Sequence, residues 1–367
     1  MAKPYSLVFV SLLLLAFSSC QSLEQISIDY LHPADLSFPP QLRKVAVVNN
    51  AGNAPDNKLI IETKKTKGDV PDARAIGYAN GDTRIAAESL AEEIAAQNYF
   101  EEVVICDSAL RANDKLPREN KLSQEEVNQL ATDLGVDLII ALENLQFKAT
   151  KNIHYLPDFN CYQSVVDMKV YPTVRVYVPQ RSTPMNTLHP TDSIFWEEFG
   201  GSFAEAAAHL TPETQMLREA AEFAGTVPVK YLVPTWKKGT RYLHTGGSVQ
   251  MRDAAVYVRE NSWDEAYGLW RQAFESTKSE KKKMRAALNI AVYYEMKDSL
   301  AQAQEWAEKA QQLAKKIEKK NVEGNAEAGI EDVPNYYLTS LYLAELKERN
   351  AQLPKLQMQM SRFKDDF

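Results

Sequence analysis

Cys20 is the residue with the most definite chemistry in this chain. It closes a run in which Lys3 precedes the apolar stretch 7–17 and the small residues Ser18 and Ser19. Small side chains beside a scissile bond suit a signal peptidase, and a thiol directly after them is the atom that takes up a lipid through a thioether. The apolar stretch is well short of the roughly 20 residues of a membrane-spanning helix, and it reads as the core of a signal peptide. Cys20 is therefore the expected lipidation site; the plainer alternative is a cleaved secretory signal with an incidental cysteine. Each buried methylene of an acyl chain adds about 0.8 kcal/mol, so more than one chain makes a stable anchor.

The other reactive side chains form no catalytic set. His32, His154, His189, His209 and His244 are scattered without metal-ligand spacing, and neither a phosphate-cradling loop nor a dinucleotide glycine fingerprint occurs. His209 and His244 flank a helical stretch and are expected to be structural or surface residues. Glu197 and Glu198 are neighbours in a strand pattern, so they point to opposite faces and make no acid–base dyad. Cys106 ends an apolar run and is expected to be a buried thiol; whether it pairs with Cys161 stays open, in a chain large enough to fold without disulfides. The expectation is a protein that is not an enzyme and has no cofactor, metal or catalytic residue.

Composition bounds the partners. The chain has 367 residues, 42 basic and 49 acidic, for a net charge of -7, which gives no overall pull toward nucleic acid. That length accommodates two domains.

The elements that must position these residues follow from periodicity and caps. A β-branched run at 44–48 is a buried strand ended by the turn residues Asn49, Asn50 and Gly52. The polar stretch up to Gly81 reads as a long loop. Asp82 caps a helix carrying Ile85, Leu90 and Ile94, and Val103, Val104 and Ile105 form the next strand. Ser123 and Glu126 make a capping box for a helix stopped by Gly135, followed by a strand at 137–142. Two strand–helix–strand passages argue for α/β layering with parallel pairing. A strand at 166–178 alternates apolar and polar residues, with Pro172 marking an edge or a bulge, and 193–199 is its expected antiparallel partner. Thr211 and Gly225 bracket a helix expected to join two halves.

Beyond Gly246 a shift of 37 residues superposes Ala291 on Ala254, Tyr294 on Tyr257, Ala303 on Ala266 and Ala310 on Ala273, while Ala307 meets Trp270. Small residues where helices cross, at a period near the usual 34, read as tetratricopeptide-like units. Two units need a cap, and Tyr336, Tyr337, Leu338, Leu341, Tyr342 and Leu346 form a helical stripe suited to it. The lysine-rich run 278–283 reads as a solvated helix start.

The segment 44–199, ending its layered part in the run Leu134 to Ile140, is similar to the N-terminal domains of curli-secretion and penicillin-binding-protein activator lipoproteins and of TolB. Phe17 stands where the familiar lipobox has leucine, and that looser form resembles lipoboxes of Bacteroidota. Residues 33–36 together with 234–242 resemble an uncharacterised Bacteroidota family of tetratricopeptide-like lipoproteins, which implies architecture and location only.

The resulting expectation is α+β overall: an N-terminal α/β sandwich with a mixed sheet, then an all-α tetratricopeptide-like helical repeat domain. Its divisions are a lipoprotein signal peptide at 1–19, a linker at 20–42, the mixed-sheet domain at 43–210 and a connecting helix and hinge at 211–245. Repeats at 246–322, a linker at 323–332 and a capping helix and tail at 333–367 complete it. Functionally it reads as an outer-membrane, lipid-anchored scaffold, in either leaflet, with the sheet domain near the membrane and the repeats offered to an envelope protein. No nucleic-acid partner is expected. The alternative is an envelope hydrolase or small-ligand-binding protein with a site around 49–81, Trp236 and Arg241. The plainer role for Trp236 and Arg241 is an aromatic anchor and a cation that lock the two domains.

Overall fold

A computed structural model describes residues 23–52, 64–65, 73–106, 109–111, 121–324 and 335–362. Cys20, the expected signal segment 1–19 and most of the expected linker at 323–332 lie outside the described residues. The chain is α+β, 49% helical and 30% strand, with a mixed sheet in the N-terminal half and helices toward the C-terminus. It forms two compact units interleaved in sequence. The helical unit takes the residues up to His32 and Trp236–Gln357, and the sheet unit takes Pro33–Thr235 and the residues from Met358 on.

The first strand, β1 (Leu23–His32), belongs to the helical unit, so the expected 20–42 linker is in good part a strand. The sheet unit then supplies β2 (Lys44–Asn49), β3 (Lys64–Lys65), β4 (Ala73–Asn80), helix α1 (Thr83–Ala96), β5 (Glu102–Cys106), α2 (Gln124–Leu134) and β6 (Leu138–Leu156). β7 (Cys161–Tyr177), β8 (Asn186–Leu188), β9 (Asp192–Gly200), α3 (Phe203–His209), α4 (Glu213–Thr226) and α5 (Val229–Leu232) complete it.

β2 lies between β5 and β6 and is parallel to both. Val45 and Val47 face the core under α1, while Ala46 and Val48 face the core under α2, so one helix covers each side of the parallel strands. The helices start where the sequence marks them. The Asp82 carboxylate accepts from the backbone N–H groups of Arg84 and Ile85, and Ser123 and Glu126 form a reciprocal capping box. Gly135 ends α2 at φ 64°, a left-handed conformation that glycine adopts without steric cost.

β6 is much longer than the 137–142 run predicts. It pairs with β2 through residues 138–142, with β4 antiparallel through 146–153, and with β7 along 139–156. A strand has two edges, so β2 and β4 share one edge of β6 and run toward each other. β4 itself corrects the loop expected up to Gly81. Pro172 lies opposite Leu145, just past a register shift between Leu142 and Asn144. On its other side, β9 pairing stops at Val170 and β8 pairing starts at Val174, so Pro172 sits in the gap between those two partners.

The 211–245 segment is not a connecting helix and hinge. Met216, Ala220, Ala221 and Ala224 of α4 are buried in the sheet unit's main core. Gly225 lies inside α4, where it lets that helix approach α1: a Cβ there would sit 2.4 Å from the Ala86 carbonyl. The strand β10 (Thr235–His244) follows and pairs with β1.

The helical unit continues with α6 (Val249–Arg259), α7 (Trp263–Ser276), α8 (Glu280–Met296), α9 (Leu300–Gly324) and α10 (Asn335–Met360). α6 with α7, and α8 with α9, form two hairpins whose matched alanines Ala254/Ala291, Ala266/Ala303 and Ala273/Ala310 are all buried. Their turns match as well. Asn261 and Asp298 both have positive φ, 59° and 53°, and Ser262 N–H to Tyr257 C=O corresponds to Ser299 N–H to Tyr294 C=O, each 2.8 Å. At the expected capping helix only Tyr342 and Leu346 of the predicted stripe pack in this core, joined by Leu343, while Tyr337 and Leu341 are exposed. The last turn of α10 and the residues beyond it belong to the sheet unit, where the Gln359 amide bonds the backbone of Ala34 on both its N–H and C=O, each at 3.0 Å. The 333–367 tail is therefore partly structural to the other unit.

Candidate functional site

Three polar or hollow places stand out, two in the sheet unit and one in the helical unit. The first lies at the carboxyl end of the parallel strands. From β2 the chain crosses to β5 and then back over β2 to β6, so the β2/β6 gap is a topological switch point, where α/β sheets present ligand sites. Asn49 and Asn50 end β2 there. Asn80 and Gly81 end β4 from the opposite direction, and Glu143 occupies the register shift of β6. Gly81 is closely packed: a Cβ there would come within 2.4 Å of the Leu145 side chain, which would have to shift.

Glu143 is only 2% exposed. Its Oε1 accepts from the Tyr177 hydroxyl at 2.5 Å and from Asn50 Nδ2 at 3.5 Å, and its Oε2 pairs with Arg175 Nη1 at 2.5 Å. Burial pushes its carboxyl above the ordinary value of 4.5, outweighing the opposing pull of Tyr177, Arg175 and Asn50. Burial and the neighbouring Glu143 push the Tyr177 phenol up to about 12, and that hydroxyl also accepts from the Leu122 N–H at 3.1 Å. Arg111, likewise buried, holds Glu126 by two hydrogen bonds of 2.9 and 3.3 Å. The arrangement engages both Glu143 oxygens, so it acts as a strut fastening the end of β2 to β6 and β7.

The second place is a cavity of about 350 Å³ between the sheet and α4. Register builds its floor in rows: Ala75–Lys151–Val166, Gly77–Ala149–Met168 and Ala79–Phe147–Val170. The small side chains of β4 leave the space, and Leu210, Thr211, Met216 and Leu217 roof it.

The third is a buried ion cluster in the helical unit. Arg241, 3% exposed, donates Nε and Nη2 to the two oxygens of Glu295 at 2.7 Å each, and Nη1 and Nη2 to Glu345 at 3.0 and 2.7 Å. Glu295 also accepts from the Tyr342 hydroxyl at 2.8 Å and from Arg349. Arg349 in turn stacks on the Tyr30 ring, 3.9 Å from its centroid. Burial opposes the charge on Arg241, yet the two carboxylates raise its pKa further above the ordinary guanidinium value. Nearby, the Asn289 side chain bonds the His244 backbone twice, Oδ1 from the N–H and Nδ2 to the C=O, both at 2.8 Å.

The sequence-predicted residues fall as follows. Arg241 is consumed inside its own unit. Trp236, five residues earlier on the same strand, therefore points to the opposite face and is 68% exposed, so the two do not form one site or one lock. His209 Nδ1 lies 3.4 Å from the Phe199 carbonyl, and His244 is held through its backbone by Asn289. Cys106 and Cys161 are both half-buried and form no disulfide. Lys281 and Lys282 of the lysine-rich run are exposed at the start of α8. Among the described residues no cluster of three or more His, Cys, Asp or Glu is placed to hold a metal, and no helix is long and apolar enough to cross a membrane.

Sequence reasoning did not single out Glu143, Lys151 or Asn289. Glu143 had a signal: a carboxylate directly after the all-apolar run Leu138 to Leu142 marks the carboxyl end of a buried strand. Lys151 had one too, as a cation in the alternation Leu145, Phe147, Ala149, Lys151, Ile153.

The mixed sheet crossed by helices on both faces, followed by paired helices, is the class this fold defines. A family model described as Domain of unknown function (DUF8603) matches residues 42–244, more than half of the chain, and the chain belongs to that family. A second model, Domain of unknown function (DUF6340), matches residues 252–348, the span from α6 into α10. No curated protein and no solved structure matches the chain.

Proposed function

We propose that this chain is a lipid-anchored cell-envelope protein that acts as a non-enzymatic interaction scaffold, with α6–α9 as tetratricopeptide-like units. The observation that carries this reading is the repetition of two helical hairpins at 37 residues, from the buried alanines down to the hydrogen bonds of the turns. The partner on this reading is an envelope protein, not a nucleic acid, in keeping with the net charge of -7.

Cys20 is the lipid attachment point in this proposal, and the outer membrane the location, in company with the Bacteroidota tetratricopeptide-like lipoproteins that the sequence resembles. β1 begins at Leu23 and belongs to the helical unit.

Two experiments test the proposal. Cys20→Ser should move the protein from the membrane to the soluble fraction, and unchanged membrane association rejects the anchor. A photo-crosslinking residue at exposed Val256 or Tyr337 should capture one protein in living cells, whereas the same residue at exposed Phe195 of the sheet unit should not. Equal capture at all three positions, or none at the first two, rejects the helical scaffold.

A further inference from the structure

The inward face of β6 carries Leu145, Phe147, Ala149, Lys151 and Ile153, four apolar residues and one cation. Ile153 and Phe147 are buried, and Lys151 lines the 350 Å³ cavity beside Ala75 and Val166. Lys151 has no carboxylate partner and no hydrogen bond among the described residues. Glu213, the other charged residue on the cavity wall, has a structural reason to be there: it stands in the first turn of α4, where a carboxylate meets the positive end of the helix dipole. Lys151 has no such reason. A cation on an apolar face breaks the strand's own pattern, and such breaks are characteristic of functional places. One row beyond Lys151 and Val166, on the same face, the Ser164 hydroxyl is fully buried with no partner among the described residues.

The cavity's size falls in the range of small-molecule sites, about 300–1,000 Å³, which are mainly apolar with a few polar groups that fix orientation. Here the apolar surface is a slot floored by Gly77, Ala149 and Met168 and roofed by Met216 and Leu217. We propose that this cavity binds a single-chain amphiphile with an anionic head, its hydrocarbon in the slot and its head on the Lys151 ammonium. An anionic head satisfies the lysine, and a hydrocarbon tail fills space that the small residues of β4 leave open. The inference goes beyond the scaffold reading and stands independently of it.

The test uses the purified full chain and isothermal titration calorimetry below micelle-forming concentrations. Dodecanoate should bind saturably, dodecanol at least tenfold more weakly, and dodecyltrimethylammonium more weakly still. Lys151→Met should weaken dodecanoate at least tenfold and leave dodecanol unchanged. Ala149→Phe should remove binding of both by filling the slot. If that variant fails to fold, Lys151→Met, at a half-buried position, decides alone. Lysophosphatidylglycerol in place of dodecanoate separates a membrane-derived ligand from a free fatty acid, the tighter of the two naming the source. No saturable binding of either anion, equal binding of the cationic amphiphile, or an unchanged dodecanoate affinity in Lys151→Met overturns the proposal.

Discussion

Asn289 on α8 holds His244 on β10 by both sides of its peptide backbone, donating to the carbonyl and accepting from the N–H at 2.8 Å each. Both residues are buried, so water does not stand in for either bond. Asn289→Ala removes both of these buried hydrogen bonds, together worth about 1–3 kcal/mol. Urea unfolding should show a loss in that range. Asn289→Asp keeps only the acceptor and adds a buried charge, and should not restore the loss.

Arg241 engages both Glu295 and Glu345 in two-pronged contacts. Removing one member of a buried ion cluster typically costs about 3–5 kcal/mol, and Arg241→Met should show that loss in thermal unfolding. Arg241→Lys should recover only part of it, because an ammonium does not reproduce the planar fork. Recovery to wild-type stability by lysine would mean that charge alone matters there.

Glu143 gives the sheet unit a pH signature. Burial raises its carboxyl above 4.5 in the folded state, so the fold favours the protonated form. The unfolded chain releases this proton first as pH rises, and the folded state holds it longer. The associated stabilisation is complete below about 4.5 and is lost as pH rises through the folded value. In urea unfolding followed from acid to neutral pH, the stability of Glu143→Gln relative to wild type should therefore increase. A difference that is constant with pH, or that moves the other way, contradicts the raised value.

The hairpin turns give a paired prediction. Asp298 and Asn261 sit in the left-handed region, which costs a non-glycine residue about 1–2 kcal/mol unless local hydrogen bonds offset it. Asp298→Gly should raise the denaturation midpoint, and Asn261→Gly should raise it less, because it also removes the hydrogen bond that Asn261 Oδ1 accepts from Trp263 Nε1 at 3.1 Å. Ala303→Leu should lower stability by about 1–3 kcal/mol through overpacking.

The parallel core was legible because its punctuation is local. Asp82, the Ser123–Glu126 box and Gly135 each announce a helix end within a few residues, and β2, β5 and β6 open with apolar runs between them. β4 escaped for a physical reason connected with the cavity: its inward residues are Ala75, Gly77 and Ala79, too small to register as a hydrophobic stripe. The strut around Glu143 was hidden because Asn50, Arg175 and Tyr177 converge on it only through sheet register. Arg241 was conspicuous as a residue, but its partners lie on α8 and α10, more than 50 positions away. The 37-residue spacing was legible in the alanines; Asn261 and Asp298, also 37 apart, show their shared positive φ only in the structure.

The interleaving of the two units sets a schedule for synthesis. The sheet unit has its strands by Thr235, yet Gln359 and Arg362 bond the backbone of Ala34, Leu36 and Leu42 within it. The helical unit, for its part, needs β1 from before the sheet unit and α10 from long after it. Domains ordinarily fold one after another as the chain emerges; here neither unit holds all its parts until the last helix has been made. A chain broken off inside α10 ahead of Gln357 leaves both units incomplete at once, so one late truncation exposes the cores of both.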